Sequence, residues 1–266
     1  MRCDRHATMF LEVNGVRLHV VSFGAGSRTI LAIGGWTGSW EMWEESLSLL
    51  STAGWRCIAF DHRGSGESPV HPELISVQNM VDDIIGVLDQ LAVETCVLAG
   101  ESSGAAIAQL AAAQFPNRIT GLIVVDSAST ERAEPAPNAF AAACRNNYSA
   151  AVEAFVDKCV PEPDSNHIRR WGRNLLMRAD PEQAARLIEM WQDDDVPVFN
   201  IGHITQPTLI IHGTEDVIVS IESSRELNKL IPGSKLVELS GCGHVPTMTR
   251  PREVYEAISN YFPALS

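Results

Sequence analysis

The fold is decided by residues 95–104, which read TCVLAGESSG. The apolar run Thr95–Ala99 predicts a buried strand, and the alanine-rich segment Gly104–Gln114 predicts a helix. Ser102 therefore stands at a sharp strand-to-helix turn, where small neighbours let the backbone close up and the side chain is forced out at the sheet edge. The helix N-terminus presents free N–H groups and a positive dipole end to any negative charge that develops there. The stretch predicts a nucleophilic serine.

The same order of short apolar strand, turn and amphipathic helix recurs along the chain. Residues 9–23 read as two strands around Asn14-Gly15, a strong hairpin signal. Further strands are predicted at Thr29–Ile33, Arg56–Phe60, Gly121–Val125, Thr208–Ile211 and Leu236–Leu239. Further helices are predicted near residues 39–50, 76–91, 223–230 and 252–261. This alternation predicts an α/β protein with a mostly parallel sheet that is covered on both faces.

Residues 127–206 break this rhythm because they contain no strand-like run. Proline-rich turns stand at residues 134–137 and 161–163. Helical segments are predicted at residues 140–147, 150–158, 168–177 and 181–191. An unstructured loop of this length is implausible in a compact domain. We therefore predict a core of residues 1–126 and 207–266, with a helical lid of residues 127–206 inserted between strands 6 and 7.

Two later motifs provide possible partners for Ser102. His244 ends the glycine-rich loop 241–244 after the last predicted strand, and Asp216 ends the loop 213–216 after another. Open α/β sheets place their sites at the carboxyl ends of strands. An acid there can accept the Nδ1–H of a histidine and stabilise the imidazolium. Glu215 could compete for this role, but Asp216 has the better spacing.

Together these residues identify a resemblance. From about residue 9 onward, the chain resembles the α/β-hydrolases of the lipase and esterase-like superfamily, nearest in pattern to enol-lactone and zearalenone-type lactone hydrolases. The motifs that carry it are Gly35-Trp36, DHRGSGES at residues 61–68, the turn 100–104, and residues 207–216 with Gly243-His244. The resemblance implies the α/β-hydrolase fold, with an eight-stranded sheet flanked by helices and a lid. In this family the run 61–68 is usually a structural turn.

The resemblance also implies a catalytic site. Its triad is Ser102, Asp216 and His244, and the backbone N–H groups of Trp36 and Ser103 form the oxyanion hole. Chain order supports it, since serine, acid and histidine follow one another as this fold requires. The expected reaction is hydrolysis of a carboxylic ester or lactone through an acyl-enzyme, without a metal or organic cofactor. Ser102 excludes the aspartate nucleophile of dehalogenases and epoxide hydrolases.

Alternative activities remain on the same scaffold. These are C–C bond hydrolysis, cofactor-free dioxygenation, and ligand binding as a hydrolase-like receptor. Gly35-Trp36 and Asp126 are typical of the dioxygenases, but Gly38 stands where those enzymes carry a histidine. Asp126 is also an alternative triad acid, since some relatives take theirs from the end of that strand; we favour Asp216, which stands in its expected motif.

Two positions depart from the family pattern. Gly34 replaces a common histidine at the oxyanion turn, and the turn itself survives because glycine tolerates positive φ. Glu101 replaces a common histidine or asparagine before the nucleophile, and a carboxylate facing the site would oppose an anionic transition state. We therefore expect Glu101 to point behind the turn, paired or solvated. Trp36 either walls the acyl pocket or packs under the lid.

Bulk properties narrow the partners. The net charge of −13 argues against binding to nucleic acid or an anionic membrane. Neither a secretory signal nor a membrane-length apolar run is visible, and six cysteines without a C-x-x-C pair indicate free thiols in a reducing cytoplasm. We expect a small apolar ester or lactone as partner, and a homodimer as an open possibility. Side chains of the predicted lid that could line its pocket are Phe140, Phe155, Trp171, Met177, Met190 and Trp191.

Overall fold

The computed structural model describes residues 6–128, 138–197 and 201–263, and its strands form one sheet. They are β1 (Ala7–Val13), β2 (Val16–Phe23), β3 (Arg28–Ile33), β4 (Trp55–Phe60), β5 (Cys96–Glu101), β6 (Ile119–Val125), β7 (Thr208–Gly213) and β8 (Lys235–Leu239). The strand order is β1-β2-β4-β3-β5-β6-β7-β8. β2 pairs antiparallel with both β1 and β4, and every other pairing is parallel. The prediction of a mostly parallel eight-stranded sheet is confirmed.

The helices that follow these strands agree with the predicted alternation. They are α1 (Glu44–Thr52), α2 (Val77–Gln90), α3 (Ser103–Gln114), α4 (Ala139–Asn146), α5 (Tyr148–Cys159), α6 (Asn166–Leu176), α7 (Pro181–Glu189), α8 (Ile221–Leu230), α9 (Pro246–Thr249) and α10 (Pro251–Tyr261). The helix predicted over residues 39–50 begins as a separate 3-10 turn at Trp40–Trp43. The short α9 was not predicted, since one turn is too short to show a hydrophobic period.

Each central strand supplies side chains to two cores, because successive residues point to opposite faces of the sheet. In β3, Leu31 and Ile33 belong to one core, whereas Ile30 and Ala32 belong to the other. Helices α2 and α3 cover the first face, and α1 and α10 cover the second. Burial on both faces explains why these strands read as continuous apolar runs in the sequence.

The motif at residues 61–68 forms a pinned turn, as the resemblance implied. Asp61 accepts hydrogen bonds from the backbone N–H groups of Trp40 at 2.8 Å and Glu67 at 2.9 Å. Arg63 is buried and forms a two-pronged ion pair with Asp83, through Nε at 2.6 Å and Nη2 at 2.9 Å. These contacts fix the chain after β4, beside the turn that carries Trp36.

Helices α4 to α7 all lie between β6 and β7, within residues 127–206. Tyr148 of α5 donates a hydrogen bond to the carbonyl of Leu176 at the end of α6 at 2.7 Å, which ties these two helices together. The turn predicted at residues 134–137 lies outside the described residues. Among the described helices, none combines the length and apolar character that a membrane span needs. The division of the chain into core and lid stays a prediction.

Candidate active site

Ser102 occupies a strained backbone position between β5 and α3. Its φ is 52° and its ψ is −123°, a conformation that non-glycine residues rarely adopt. Its N–H donates to the carbonyl of Val125 at 2.8 Å. A Cβ on Gly100 would lie 2.5 Å from Ala105 Cα, and one on Gly104 would lie 2.3 Å from the Gly34 carbonyl oxygen. The turn can therefore close only because glycine stands at both positions.

A continuous hydrogen-bonded chain links Ser102, His244 and Asp216. The distance from His244 Nε2 to Ser102 Oγ is 3.0 Å, and the distance from His244 Nδ1 to Asp216 Oδ2 is 2.7 Å. The structure thus brings together the three residues that the sequence singled out. The backbone N–H of His244 donates to the carbonyl of Cys159 at 2.8 Å, so the end of α5 holds the histidine loop in place.

Asp216 has other hydrogen-bond partners besides His244. Its Oδ1 accepts the backbone N–H groups of Ile218 at 2.7 Å and Val219 at 2.9 Å, and His212 Nε2 lies 3.2 Å from its Oδ2. Burial acts to raise the pKa of Asp216, but the hydrogen bonds from His212 and His244 outweigh it and hold that pKa well below its usual range. The carboxylate is therefore ionised and fixed in orientation.

His212 was missed by the sequence analysis. It is the fifth residue of β7, is fully buried, and stands four residues before Asp216. Its Nδ1 lies 2.7 Å from Ser224 Oγ, and its Nε2 lies 3.0 Å from the Val219 carbonyl oxygen. Nothing in its apolar strand context marks it in the sequence. The four-residue spacing to Asp216 is the one signal that could have found it.

Asp126, the alternative acid, occupies a different position. Its φ is 46°, and its Oδ1 accepts the backbone N–H of Gly213 at 2.9 Å, whereas His244 Nδ1 pairs with Asp216. Burial and the nearby charge of Asp216 raise the pKa of Asp126 well above its ordinary value. Asp126 is therefore a neutral acid whose side chain links the end of β6 to the end of β7.

Asp126, His212 and Asp216 place ligand-type atoms within 4.8 Å of one another, a grouping that could in principle hold a metal ion. Both oxygens of Asp216 and both ring nitrogens of His212 already have hydrogen-bond partners within the protein. A cation would have to displace these bonds, including the one to His244. The arrangement therefore fits a hydrogen-bond network around Asp216 better than a coordination site.

The two predicted oxyanion donors are adjacent, but one of them is engaged. Trp36 has a φ of 23°, and its backbone N–H donates to Ser103 Oγ at 2.7 Å. Ser103 is the first residue of α3, so its own N–H has no acceptor within the helix. The sequence did not reveal the side-chain contact, because it depends on how the two turns approach each other.

The indole of Trp36 packs under the inserted helices and also walls the site. Its ring contacts Phe140 and Phe155, with centroid distances of 4.8 and 5.0 Å. Its Nε1–H donates to the carbonyl of Ala184 in α7 at 2.9 Å. The two interpretations that the sequence left open are therefore combined in one side chain.

Two cavities meet at Ser102. The first cavity is lined by Gly35, Trp36, Glu101, Ser102, Phe155 and His244, together with aliphatic side chains of α5 and α6. The second cavity is lined by Trp36, Ser102, Ser103, Phe140, Phe155 and Trp191, among others. Trp36 and Phe155 line both cavities and so divide them. Of the six predicted pocket residues in the insertion, Trp171, Met177 and Met190 line neither cavity.

The sequence led us to expect Glu101 behind the turn, paired or solvated; the structure instead places it in the wall of the first cavity, where it is only partly paired. It is fully buried, and one carboxyl oxygen, Oε2, accepts a short hydrogen bond from the hydroxyl of Thr247. The other, Oε1, has no partner among the described residues, and Glu101 lines the first cavity. Burial raises the pKa of Glu101 to about 8, although the bond from Thr247 opposes the shift. At neutral pH the group is therefore mostly a neutral carboxylic acid.

Comparison with known proteins places this geometry in context. The family model described as "alpha/beta hydrolase fold" matches residues 28–194 and 164–251. The AB hydrolase superfamily protein YisY of Bacillus subtilis (strain 168) is 27% identical over 255 residues, which are 92% of this chain and 91% of that protein. Epoxide hydrolase 3 of Siraitia grosvenorii is 36% identical over 122 residues, which are 45% of this chain and only 38% of that protein.

A solved structure extends the likeness to the whole fold. The esterase EaEST from Exiguobacterium antarcticum superposes with a TM-score of 0.87 at 22% identity, covering 96% of this chain and 99% of that one. At this level of identity, the likeness shows a shared fold and leaves the substrate open. The fold, the order of the site residues and the family match all point to one superfamily.

Proposed function

The chain belongs to the alpha/beta hydrolase fold family, and on that premise we propose that it is a serine hydrolase that cleaves a carboxylic ester or lactone through an acyl-enzyme. The observation that carries the proposal is the unbroken chain from Asp216 Oδ2 through His244 to Ser102 Oγ, with steps of 2.7 and 3.0 Å. This is the arrangement in which a histidine can take the proton of a serine hydroxyl while an aspartate fixes its tautomer.

In the proposed mechanism, Ser102 Oγ attacks the carbonyl carbon of the substrate as its proton passes to His244 Nε2. Asp216 stabilises the imidazolium, and the backbone N–H groups of Trp36 and Ser103 hold the oxyanion. Each such donor contributes roughly 3 kcal/mol to transition-state stabilisation in comparable sites. The intermediate collapses with transfer of the proton to the leaving alkoxide, which departs as an alcohol.

The acyl-enzyme is then hydrolysed by the reverse sequence of proton transfers. His244 accepts a proton from water, the resulting hydroxide attacks the acyl carbon, and the proton returns to Ser102 Oγ as the acid is released. For a lactone, the alcohol and the acid stay joined in one hydroxy acid. The positive φ of Ser102 keeps Oγ exposed at the carboxyl end of β5 throughout.

We further propose that residues 127–206 act as a lid that shapes substrate access. Helices α4 and α5 contribute Phe140 and Phe155 to the walls around Ser102. The contact of the His244 N–H with the Cys159 carbonyl joins this insertion to the catalytic loop. Both cavities have predominantly apolar walls, which supports a small apolar substrate.

Hydrolysis of p-nitrophenyl acetate and p-nitrophenyl butyrate tests the proposal. We expect wild-type protein to hydrolyse at least one of them, and Ser102→Ala to lower kcat by about 10³-fold or more. Ser51→Ala is a matched control, since this exposed hydroxyl lies on α1 and, among the described residues, donates its hydrogen bond to the Ser48 carbonyl. Undiminished hydrolysis in Ser102→Ala would contradict the proposed function.

A further inference from the structure

The first cavity contains an acid that the proposed mechanism does not use. Among the described residues, the wall of this cavity contains one carboxyl group, that of Glu101, beside Ser102, His244 and apolar side chains such as Met42, Val156 and Leu175. Its side chain is completely buried, and Oε1 has no hydrogen-bond partner among the described residues. An unpaired polar atom in such surroundings carries a free-energy cost, because it has lost its contact with water without gaining a hydrogen bond. A ligand that satisfies this atom would remove the cost.

The contacts of Glu101 decide which kind of ligand group fits. Oε2 accepts a hydrogen bond from the Thr247 hydroxyl, so Oε2 is the carbonyl oxygen of the neutral acid. The acid proton is then on Oε1, which has no partner among the described residues. Within the part of the chain that the structure describes, no lysine or arginine lines the cavity to support an ionised carboxylate. A negative charge beside Ser102 would also oppose the developing oxyanion. A neutral acid that donates from Oε1 is the form that suits this site.

We propose that Glu101 is a specificity-determining residue, which donates a hydrogen bond from Oε1 to an oxygen atom of the substrate group in the first cavity. The substrate class is then esters or lactones that carry a keto, ether or hydroxyl oxygen close to the scissile bond, in preference to plain alkyl esters. This inference rests on the proposed ester hydrolysis and adds a recognition element to the same site.

Among the described titratable groups near Glu101, Asp216 favours the neutral form, because its negative charge raises the pKa of Glu101. Asp126 on the sheet side is itself neutral, and Cys159 lies in the cavity wall. His244 lines the same cavity and is paired with Asp216. Because the pKa of Glu101 is raised to about 8, the donor proton is present at neutral pH and is lost in mildly alkaline solution.

Matched substrate pairs test the proposal, because a variant's effect on the chemical step is shared by both substrates of a pair and drops out of the ratio of their rates. On the acyl side, p-nitrophenyl methoxyacetate is compared with p-nitrophenyl butyrate; on the alcohol side, 2-methoxyethyl acetate is compared with butyl acetate. Each pair differs by one exchange of CH₂ for oxygen. The readout is the ratio of kcat/KM within a pair, for wild type, Glu101→Gln and Glu101→Met.

We expect the oxygen preference in one pair to fall about 10-fold in Glu101→Met, the loss of one buried hydrogen bond. Glu101→Gln should keep the preference within about 3-fold, because its amide N–H still donates. In wild type the preference should decline as pH rises through about 8, whereas Glu101→Gln should hold it. His244 serves the same step with both substrates of a pair, so its contribution is common to both rates and does not change the ratio.

The wild-type pH readout needs no variant, so a poorly folding Glu101→Met protein leaves the test intact. If the ratio of kcat/KM in both pairs changes neither with pH nor in Glu101→Met, this inference is overturned, while ester hydrolysis stays in place. Absence of Ser102-dependent hydrolysis of every ester would overturn the proposed function, and this inference with it.

Discussion

The backbone N–H of Trp36 donates a hydrogen bond to the hydroxyl of Ser103, with 2.7 Å between the nitrogen and Oγ. The same N–H is one of the two donors proposed for the oxyanion. A side-chain oxygen therefore occupies the acceptor side of this N–H when no substrate is bound. The substrate carbonyl has to replace that oxygen before Ser102 attacks.

Ser103→Ala is predicted to leave kcat/KM for p-nitrophenyl butyrate equal to wild type or up to about 5-fold higher. The alanine removes the competing acceptor and keeps both backbone N–H groups, each worth roughly 3 kcal/mol in comparable sites. Steady-state kinetics with circular dichroism as a folding control would measure this. A loss of more than 10-fold would instead make the Ser103 hydroxyl a donor to the oxyanion.

Asp216→Asn is predicted to lower kcat by about 10³-fold or more, because an amide has one acceptor oxygen and no negative charge. With that oxygen on the N–H groups of Ile218 and Val219, the NH₂ group faces His244 and can neither accept its Nδ1–H nor stabilise the imidazolium. Asp126→Asn is the matched control. Its Oδ1 can still accept the Gly213 N–H, so we expect a change below about 3-fold. Kinetics of both variants on one ester assign the acid, and the reverse order of losses would assign the role to Asp126.

Phe155→Ala is predicted to change the chain length that the enzyme accepts. Phe155 contacts Trp36 and lines both cavities, so its removal would join them. We expect the ratio of kcat/KM for p-nitrophenyl octanoate to that for butyrate to rise about 10-fold, within the range of discrimination that apolar pockets achieve. Phe140→Ala widens the second cavity alone and should shift this ratio less than 3-fold. Equal ratios in the two variants would rule out Phe155 as the divider.

Glu101→Gln is predicted to alter how stability depends on pH. The pKa of this carboxyl is about 8 in the folded protein and near its ordinary value of 4.5 when unfolded. Between these values, unfolding releases a proton, so wild-type stability falls as pH rises; outside them this contribution is constant. The slope is at most about 1.4 kcal/mol per pH unit.

Urea unfolding of both proteins at pH 5 and pH 8 measures this effect. Glu101→Gln lacks the titration, so its stability relative to wild type should increase from pH 5 to pH 8. Both proteins retain Asp126 and Asp216, so the comparison isolates the consequence of the change at position 101. A difference between the two proteins that stays constant with pH would show that Glu101 titrates normally.

The sequence predicted the sheet, the strand-to-helix turn and the order of the site residues because these depend on local patterns. Ser102, Asp216 and His244 each follow a recognisable strand, and parallel strands bring their carboxyl ends to one edge. The flanking glycines of the turn were visible for the same reason. At these positions the residue type and its place after a strand can both be read from the local sequence.

The partners of Glu101 and Trp36 could not be predicted, since they depend on contact between segments far apart in the chain. The partners of His212 are close in sequence, but they depend on how the loop after β7 folds. Thr247, which binds Glu101, lies 146 residues away. His212 reads as the end of an apolar strand until the loop to Asp216 folds back on it. Our expectation for Glu101 was based on the cost of burying an unpaired charge, and a carboxyl group that stays protonated avoids that cost.

The central claim is that Ser102 is a nucleophile activated through His244, and covalent trapping tests it most directly. Wild type and Ser102→Ala are incubated with diethyl p-nitrophenyl phosphate, and the products are measured by intact-protein mass spectrometry with peptide mapping. The account predicts one diethylphosphoryl group per wild-type chain, located on Ser102, and none on Ser102→Ala. Labelling of another residue, or equal labelling of both proteins, would contradict it.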